Sequence, residues 1–167
     1  MKRNHWVLFS GALFAAFTSL PALATEPCCG EAEFQGVDVA SEDVVIQLVE
    51  LKRVGPDEVQ ATWTLRNKSK QDQRLTKGGS GWSDGFHLAY DASLQDMGAR
   101  MNFPVAKDSG GTPLAGKHPT VPYKGIWLKP GKTMTTWAKF LVPVSTTTVN
   151  VTLPGAVMPW NNVKITQ

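Results

Sequence analysis

The chain has 167 residues, with 17 basic and 14 acidic side chains and only two cysteines. Nearly balanced charge, with no basic run interleaved with aromatics, excludes counterion-driven binding to nucleic acid, and two adjacent cysteines exclude a disulfide-stapled miniprotein. The length fits one domain able to bury most of its apolar surface without covalent staples.

Lys2 and Arg3 precede an apolar run from Trp6 to Leu20, followed by Pro21 and the small-residue pattern Ala22-Leu23-Ala24. A positive end, an apolar centre and an A-x-A site are the parts of a secretory signal peptide, so residues 1–24 read as a targeting segment cleaved after Ala24. A spanning helix needs roughly 20 uninterrupted apolar residues, and this run is shorter and broken by Ser10 and Gly11. No transmembrane segment is expected after cleavage, and the product is expected to be periplasmic or secreted. Cys28 follows Thr25-Glu26-Pro27 instead of Ala24 directly, which disfavours lipid attachment. Removing residues 1–24 from the 167 leaves 143, and losing Lys2 and Arg3 leaves 15 basic against 14 acidic side chains.

Cys28 and Cys29 are neighbours in the chain. Adjacent Cα atoms lie about 3.8 Å apart, whereas an unstrained disulfide needs roughly 4.4 to 6.8 Å. The pair is left with three readings: bonding to another molecule, a soft-metal site, or two thiols near a frayed terminus. Residues 25–43, rich in Glu, Gly and Ala, read as a loose leader with a short edge strand around Phe34 to Val39. The domain proper is expected over residues 44–167.

Val44 to Val54 is a long β-type run dense enough in apolar residues to be covered on both faces. Gly55-Pro56-Asp57 supplies a turn. Val59, Ala61, Trp63 and Leu65 then alternate with Gln60, Thr62, Thr64 and Arg66, which puts one set on a dry strand face and the other on a wet one. The two strands read as a hairpin with Trp63 in the core. The stretch from Lys77 to Gly85 is a Gly/Ser loop by composition, with Trp82 and Asp84 inside it. Phe86, Leu88 and Tyr90 alternate with His87, Ala89 and Asp91 as a strand would, followed by a turn from Asp91 to Asp96 and a strand near Gly98 to Val105.

Lys107 to Gly125 carries Gly110, Gly111, Gly116, Pro113, Pro119 and Pro122. Structureless loops beyond about 12 to 15 residues usually bind something or are partly disordered, so this loop, with His118 and Tyr123, is a candidate functional surface. Lys129-Pro130-Gly131-Lys132 has the type II turn signature. Met134, Thr136, Ala138 and Phe140 alternate with Thr135, Trp137, Lys139 and Leu141, then Val149, Val151 and Leu153 alternate with polar neighbours. After Pro154-Gly155, Val163 and Ile165 close the chain. Short strands, frequent turns and no sustained helical period make the class all-β, an immunoglobulin-like β-sandwich of seven or eight antiparallel strands.

Three features together resemble bacterial exported immunoglobulin-like domains of unknown function. They are the pairing of Val49-Glu50-Leu51-Lys52-Arg53-Val54 with the Val59 to Asn67 strand, the Leu128 to Gly131 turn ahead of Trp137-Ala138-Lys139-Phe140, and the closing Val149 to Leu153, Pro154-Gly155 and Val163-Lys164-Ile165. Such domains occur alone or ahead of peptidoglycan-associating domains of the outer-membrane protein A type. The resemblance implies an envelope location and carries over no catalytic residue.

Asp108-Ser109-Gly110-Gly111 resembles the nucleophile segment of trypsin-like proteases, but that chemistry needs a histidine base held by a buried aspartate. Only His87 and His118 follow the signal segment, and a plain Gly-rich turn is the stronger reading. Cys28, Cys29, His87 and His118 include ligand types that suit copper or zinc, without a ligand spacing of known geometry; Met97 and Met101 are more simply hairpin packing. Trp82, Tyr123, Trp127 and Trp160 could present rings to a sugar, although Trp127, Trp137 and Trp160 are better placed to fill the core or seal its ends. Asp91 and Asp96 bracket a turn and are not a catalytic pair.

The expected function is a non-enzymatic, exported binding domain of the bacterial envelope that needs no cofactor. It would recognise an envelope or secreted protein partner through Trp82, Asp84, His118 and Tyr123, a periplasmic inhibitor or immunity protein being one form. A metal or redox protein using Cys28 and Cys29 is the alternative, followed by a carbohydrate-binding module.

Overall fold

The computed structural model describes residues 28–36, 43–76, 86–118 and 125–167. The signal segment 1–24 and the expected recognition residues Trp82, Asp84 and Tyr123 lie outside the described residues. The strands are β1 (Glu31–Glu33), β2 (Val44–Gly55), β3 (Glu58–Asn67), β4 (Gln73–Arg74), β5 (Ser93–Asp96), β6 (Met101–Pro104), β7 (Trp127–Leu128), β8 (Thr133–Leu141), β9 (Thr148–Thr152) and β10 (Trp160–Lys164). They form a four-stranded sheet in the order β1-β2-β3-β8, a second in the order β10-β9-β5-β6, and a two-stranded pair β4-β7. All these pairings are antiparallel. The class is all-β, and two sheets sharing one core are consistent with a β-sandwich. The surplus over the seven or eight strands expected is the two-residue pair.

The hairpin of β2 and β3 is built on parity. Val59, Ala61, Trp63, Leu65 and Asn67 all face inward and are buried. Across the ladder stand Arg53, Leu51, Leu48, Ile46 and Val44. The register shifts between Leu48 and Glu50, so one extra residue enters β2 there. This bulge lets Leu48 and Leu51, three positions apart, both face the core, and strict alternation would have turned one of them out. It explains why β2 reads as covered on both faces. On the other side of β3, Met134, Thr136, Ala138 and Phe140 of β8 oppose Leu65, Trp63, Ala61 and Val59.

Leu94, Phe103, Val149, Val151 and Val163 of the second sheet join Trp63, Leu48 and Phe140 in one buried cluster. Trp63 is the largest fully buried side chain. A tryptophan buries roughly 150 to 250 Å², worth about 4 to 6 kcal/mol at most by area.

One end of the molecule is closed by Arg53. Its Nη1 donates to the carbonyls of Pro56 (3.1 Å) and Val142 (3.0 Å), and its Nη2 donates to those of Pro143 (3.2 Å) and Thr146 (3.0 Å). The connection from β8 to β9 is thereby tied to the β2–β3 hairpin. The Thr146 hydroxyl donates to Asp96 at the β5–β6 turn, 3.1 Å away, so the second sheet is fastened at the same end.

Several expectations are corrected. Phe86 to Tyr90 is a helical-type turn, with the amides of Ala89 and Tyr90 both donating to the Phe86 carbonyl at 2.8 Å. Burial at Leu88, Ala89 and Ala92 follows that turn, not alternation. The second hairpin is therefore β5–β6, whose turn is held by the Ala99 amide donating to the Asp96 carboxylate at 2.9 Å. Met97 and Met101 are exposed there and do not pack. The edge strand of the leader is Glu31–Glu33, ahead of the expected Phe34 to Val39, whose residues from 37 on lie outside the described ones. Trp127 is exposed because Leu128 takes the inward side of β7.

The described part of the long loop has a structural task. Ala115 bridges to Ala138, the Gly116 amide donates to the Trp137 carbonyl at 2.8 Å, and the Lys139 amide donates to the Leu114 carbonyl at 2.9 Å. Residues 105–116 thus cover the outer edge of β8, satisfying groups that would otherwise invite another strand. Gly116 is required because a Cβ there would sit 2.7 Å from Thr136 Oγ1. At Lys129–Lys132 the expected turn is present, with Gly131 at φ 66° and the Lys132 amide donating to the Lys129 carbonyl at 3.1 Å.

Replacing Trp63 by Ala is expected to cost about 3–5 kcal/mol, against within about 0.5 kcal/mol for Leu141→Ala on the surface, both read as urea-unfolding free energies. The Trp63 indole nitrogen and the Thr136 hydroxyl stand on opposed residues and are buried without a hydrogen-bond partner. Thr136→Val keeps the shape and removes one unsatisfied group, so it is expected to be neutral or to stabilise by up to about 1 kcal/mol in the same assay.

Candidate functional site

Opposite the Arg53 end, a polar node orders the chain. Asn67 continues the inward parity of β3 and is fully buried. Its Nδ2 donates to the carbonyls of Gln71 (2.8 Å) and Leu128 (2.9 Å), and its Oδ1 accepts from the amide (2.9 Å) and hydroxyl (2.8 Å) of Ser69. Every hydrogen-bonding group of the amide is used, which is the condition for burying it without penalty. Leu128 is thereby held beside Gln73, the register partner that begins the β4–β7 pair.

From that pair two segments depart. The Leu75 amide donates to the Ile126 carbonyl at 2.8 Å, and the Ile126 amide donates to the Thr76 hydroxyl at 3.0 Å. Thr76 is the last described residue before 77–85, and Gly125-Ile126 are the first after 119–124. On the far side of both gaps, the Lys117 ammonium lies 5.8 Å from the centre of the Phe86 ring, within cation–π range. All four stems therefore meet in adjacent pairs.

A cleft of about 360 Å³ opens at this end, lined by Phe34, Leu75, Thr76, His87, Tyr90 and Asp91 among others. His87 leans on Tyr90 with ring centres 5.8 Å apart. His118 is half-buried, and its Nε2 is buried without a hydrogen-bond partner among the described residues. Burial alone pushes its pKa below the ordinary 6.5, because the imidazolium would lose its hydration.

The cysteine pair lies elsewhere, over the β2 bulge. The Cys28 amide donates to the Val49 carbonyl at 3.0 Å, Gln47 Nε2 donates to the Cys29 carbonyl at 3.3 Å, and the Trp160 indole donates to the Gly30 carbonyl at 3.0 Å. The segment is anchored, not frayed. The two Sγ atoms are 2.9 Å apart, and Cys28 Sγ lies 3.6 Å from the Leu48 carbonyl. Partial desolvation of the otherwise exposed side chain, then the hydrogen bond and charge of Cys29, push the Cys28 thiol up to about 12. Beside the pair runs an apolar groove of about 550 Å³ between β1 and residues 157–160, lined by Ala32, Val157, Met158 and Trp160.

Of the residues singled out as metal ligands, Cys28 and Cys29 are together, while His87 and His118 are at the loop end. Among the described residues no three His, Cys, Asp or Glu side chains form a metal-binding group. The Asp108 carboxylate accepts the amides of Gly110 and Thr112 at 2.9 Å each, which makes the protease-like tetrapeptide a turn. Asn67 and Thr76 were not singled out by sequence. A polar residue on the dry parity of β3 is the signal that marks Asn67, whereas nothing local marks Thr76.

Comparison with known protein families, curated proteins and solved structures finds no match to this chain.

Because burial lowers the His118 pKa in the folded state, the unfolded chain takes up the proton more readily, so the stability present above pH 6.5 is lost as the pH falls below it. Between about pH 7 and pH 5, above the carboxylate range, the urea midpoint of the wild type is expected to fall more steeply than that of His118→Gln. Equal slopes would show that the imidazole is hydrated.

Proposed function

We propose that the chain is an exported, non-enzymatic binding domain of the bacterial cell envelope, an immunoglobulin-like sandwich that recognises a protein partner through loops at one end. The observation that carries this reading is the convergence of stems, Thr76 against Ile126 and Phe86 against Lys117. These contacts join the described residues that flank 77–85, where Trp82 and Asp84 lie in sequence, to those that flank 119–124, where Tyr123 lies, and His118 immediately precedes the latter. Loops held at one end of a rigid β-scaffold are a common way to build a recognition surface. Within the long loop, residues 105–116 are committed to sealing β8. Two four-stranded antiparallel sheets on one core support the immunoglobulin-like assignment. A periplasmic inhibitor or immunity protein is a specific form of the same reading.

A photoreactive group placed at position 84 is expected to cross-link one partner from bacterial envelope extract, in competition with unlabelled wild type. Introducing Trp82→Ala and Tyr123→Ala is expected to lower the yield at least about tenfold, the loss of one anchoring aromatic contact, with an unchanged urea midpoint. Equal yields from both proteins, or no competition, would end the reading. Processing is tested separately, the secreted product being expected to begin at Thr25.

A further inference from the structure

We propose that Cys28 and Cys29 form a two-sulfur chelating site for a thiophilic trivalent centre of the arsenic type, independent of the loop surface. Three hydrogen bonds hold the backbone of residues 28–30 against β2 and Trp160, so the sulfurs are presented from an ordered strand edge. They stand in contact at 2.9 Å, and Cys28 is exposed. Closely spaced thiols select soft centres over hard ones.

Coordination number narrows the class further. Zinc in a structural site takes four protein ligands, and among the described residues no third His, Cys, Asp or Glu completes a group here. Sulfurs lying side by side also suit a pyramidal centre with an acute angle at the bound atom, whereas a linear two-coordinate ion needs them on opposite sides. Trivalent arsenic carrying one organic substituent requires two sulfurs and has this shape. Gly30, the next residue, lines a groove whose floor is mainly apolar, with Met158 and Trp160, and whose β1 side also carries Glu31 and Glu33, and it is the nearest space for an aryl substituent. Internal oxidation competes poorly, because a bond between neighbours must close across a Cα separation of about 3.8 Å, short of the roughly 4.4 Å minimum, and strained disulfides are readily reduced.

With phenylarsine oxide as probe, both S–H bonds break and two As–S bonds form. The oxide oxygen leaves as water carrying the two thiol protons. Arsenic stays trivalent, so no oxidant or reductant enters.

Purified protein, reduced and desalted without oxygen, is mixed with phenylarsine oxide and followed by intact mass and thiol titration. One phenylarsenic per chain is expected, with loss of both thiols, displaced by dithiothreitol and resistant to a monothiol. Cys28→Ser and Cys29→Ser each remove the chelate and are expected to weaken retention at least about 100-fold, while circular dichroism and urea midpoint stay as in the wild type. The proposal is overturned if no adduct forms, if a monothiol displaces it, or if a single-cysteine variant retains it equally. It also falls if rapid alkylation at cell lysis finds the two sulfurs already bonded to each other.

Discussion

Trp63 sets the terms on which the rest of the chain packs. A side chain of that size fits the interior only if some of the residues around it are small. Thr136 faces it on β8 and Ala61 and Ala138 pair one step away, while on β2 Leu48 stands opposite it and the bulge that follows brings Leu51 back to the core face opposite Ala61. The second sheet then supplies Leu94, Val149 and Val151 to the same cluster. The accommodation is imperfect at one point, where the indole nitrogen and the threonine hydroxyl are both buried without a partner.

Asn67 solves the complementary problem at the edge of that core. The inward parity of β3 ends where the chain must turn away, and an amide there replaces apolar contact with four hydrogen bonds to Gln71, Leu128 and Ser69. The consequence is positional: Leu128 is held where it pairs with Gln73, and the β4–β7 pair continues directly into the Leu75 and Thr76 contacts with Ile126.

How far this was legible from sequence depended on whether one period governed a stretch. β3 and β8 alternate without interruption, so both strands, the β2–β3 hairpin with Trp63 in the core and the turn at Pro130-Gly131 were readable. The pairing of β3 with β8 was not, and Trp137, expected to fill the core or seal its ends, lies on the outward parity of β8. β2 was readable as a strand but not in phase, because a bulge is decided by what lies across the ladder. Phe86 to Tyr90 failed for a different reason: a short apolar alternation is compatible with a helical turn, and tertiary burial of Leu88 and Ala89 together selects the turn. Of the candidate site, the two loops could be named from glycine and proline content. The contact between their described flanks could not, since Leu75 and Thr76 bond to Ile126 about fifty positions away. The anchoring of residues 28–30 was equally hidden, because Val49, Gln47 and Trp160, the partners of Cys28, Cys29 and Gly30, are distant in the chain.

Arg53 binds the β8–β9 connection entirely through main-chain oxygens. A clasp of that kind is indifferent to which side chains the connection carries, and Val144 within it is two-thirds exposed, at 66%. Residues 143–145 can therefore drift in sequence without loosening the joint, whereas lysine in place of Arg53, with one nitrogen for several carbonyls, could not span it. The joint's tolerance is lopsided: wide latitude on the strap, almost none on the buckle.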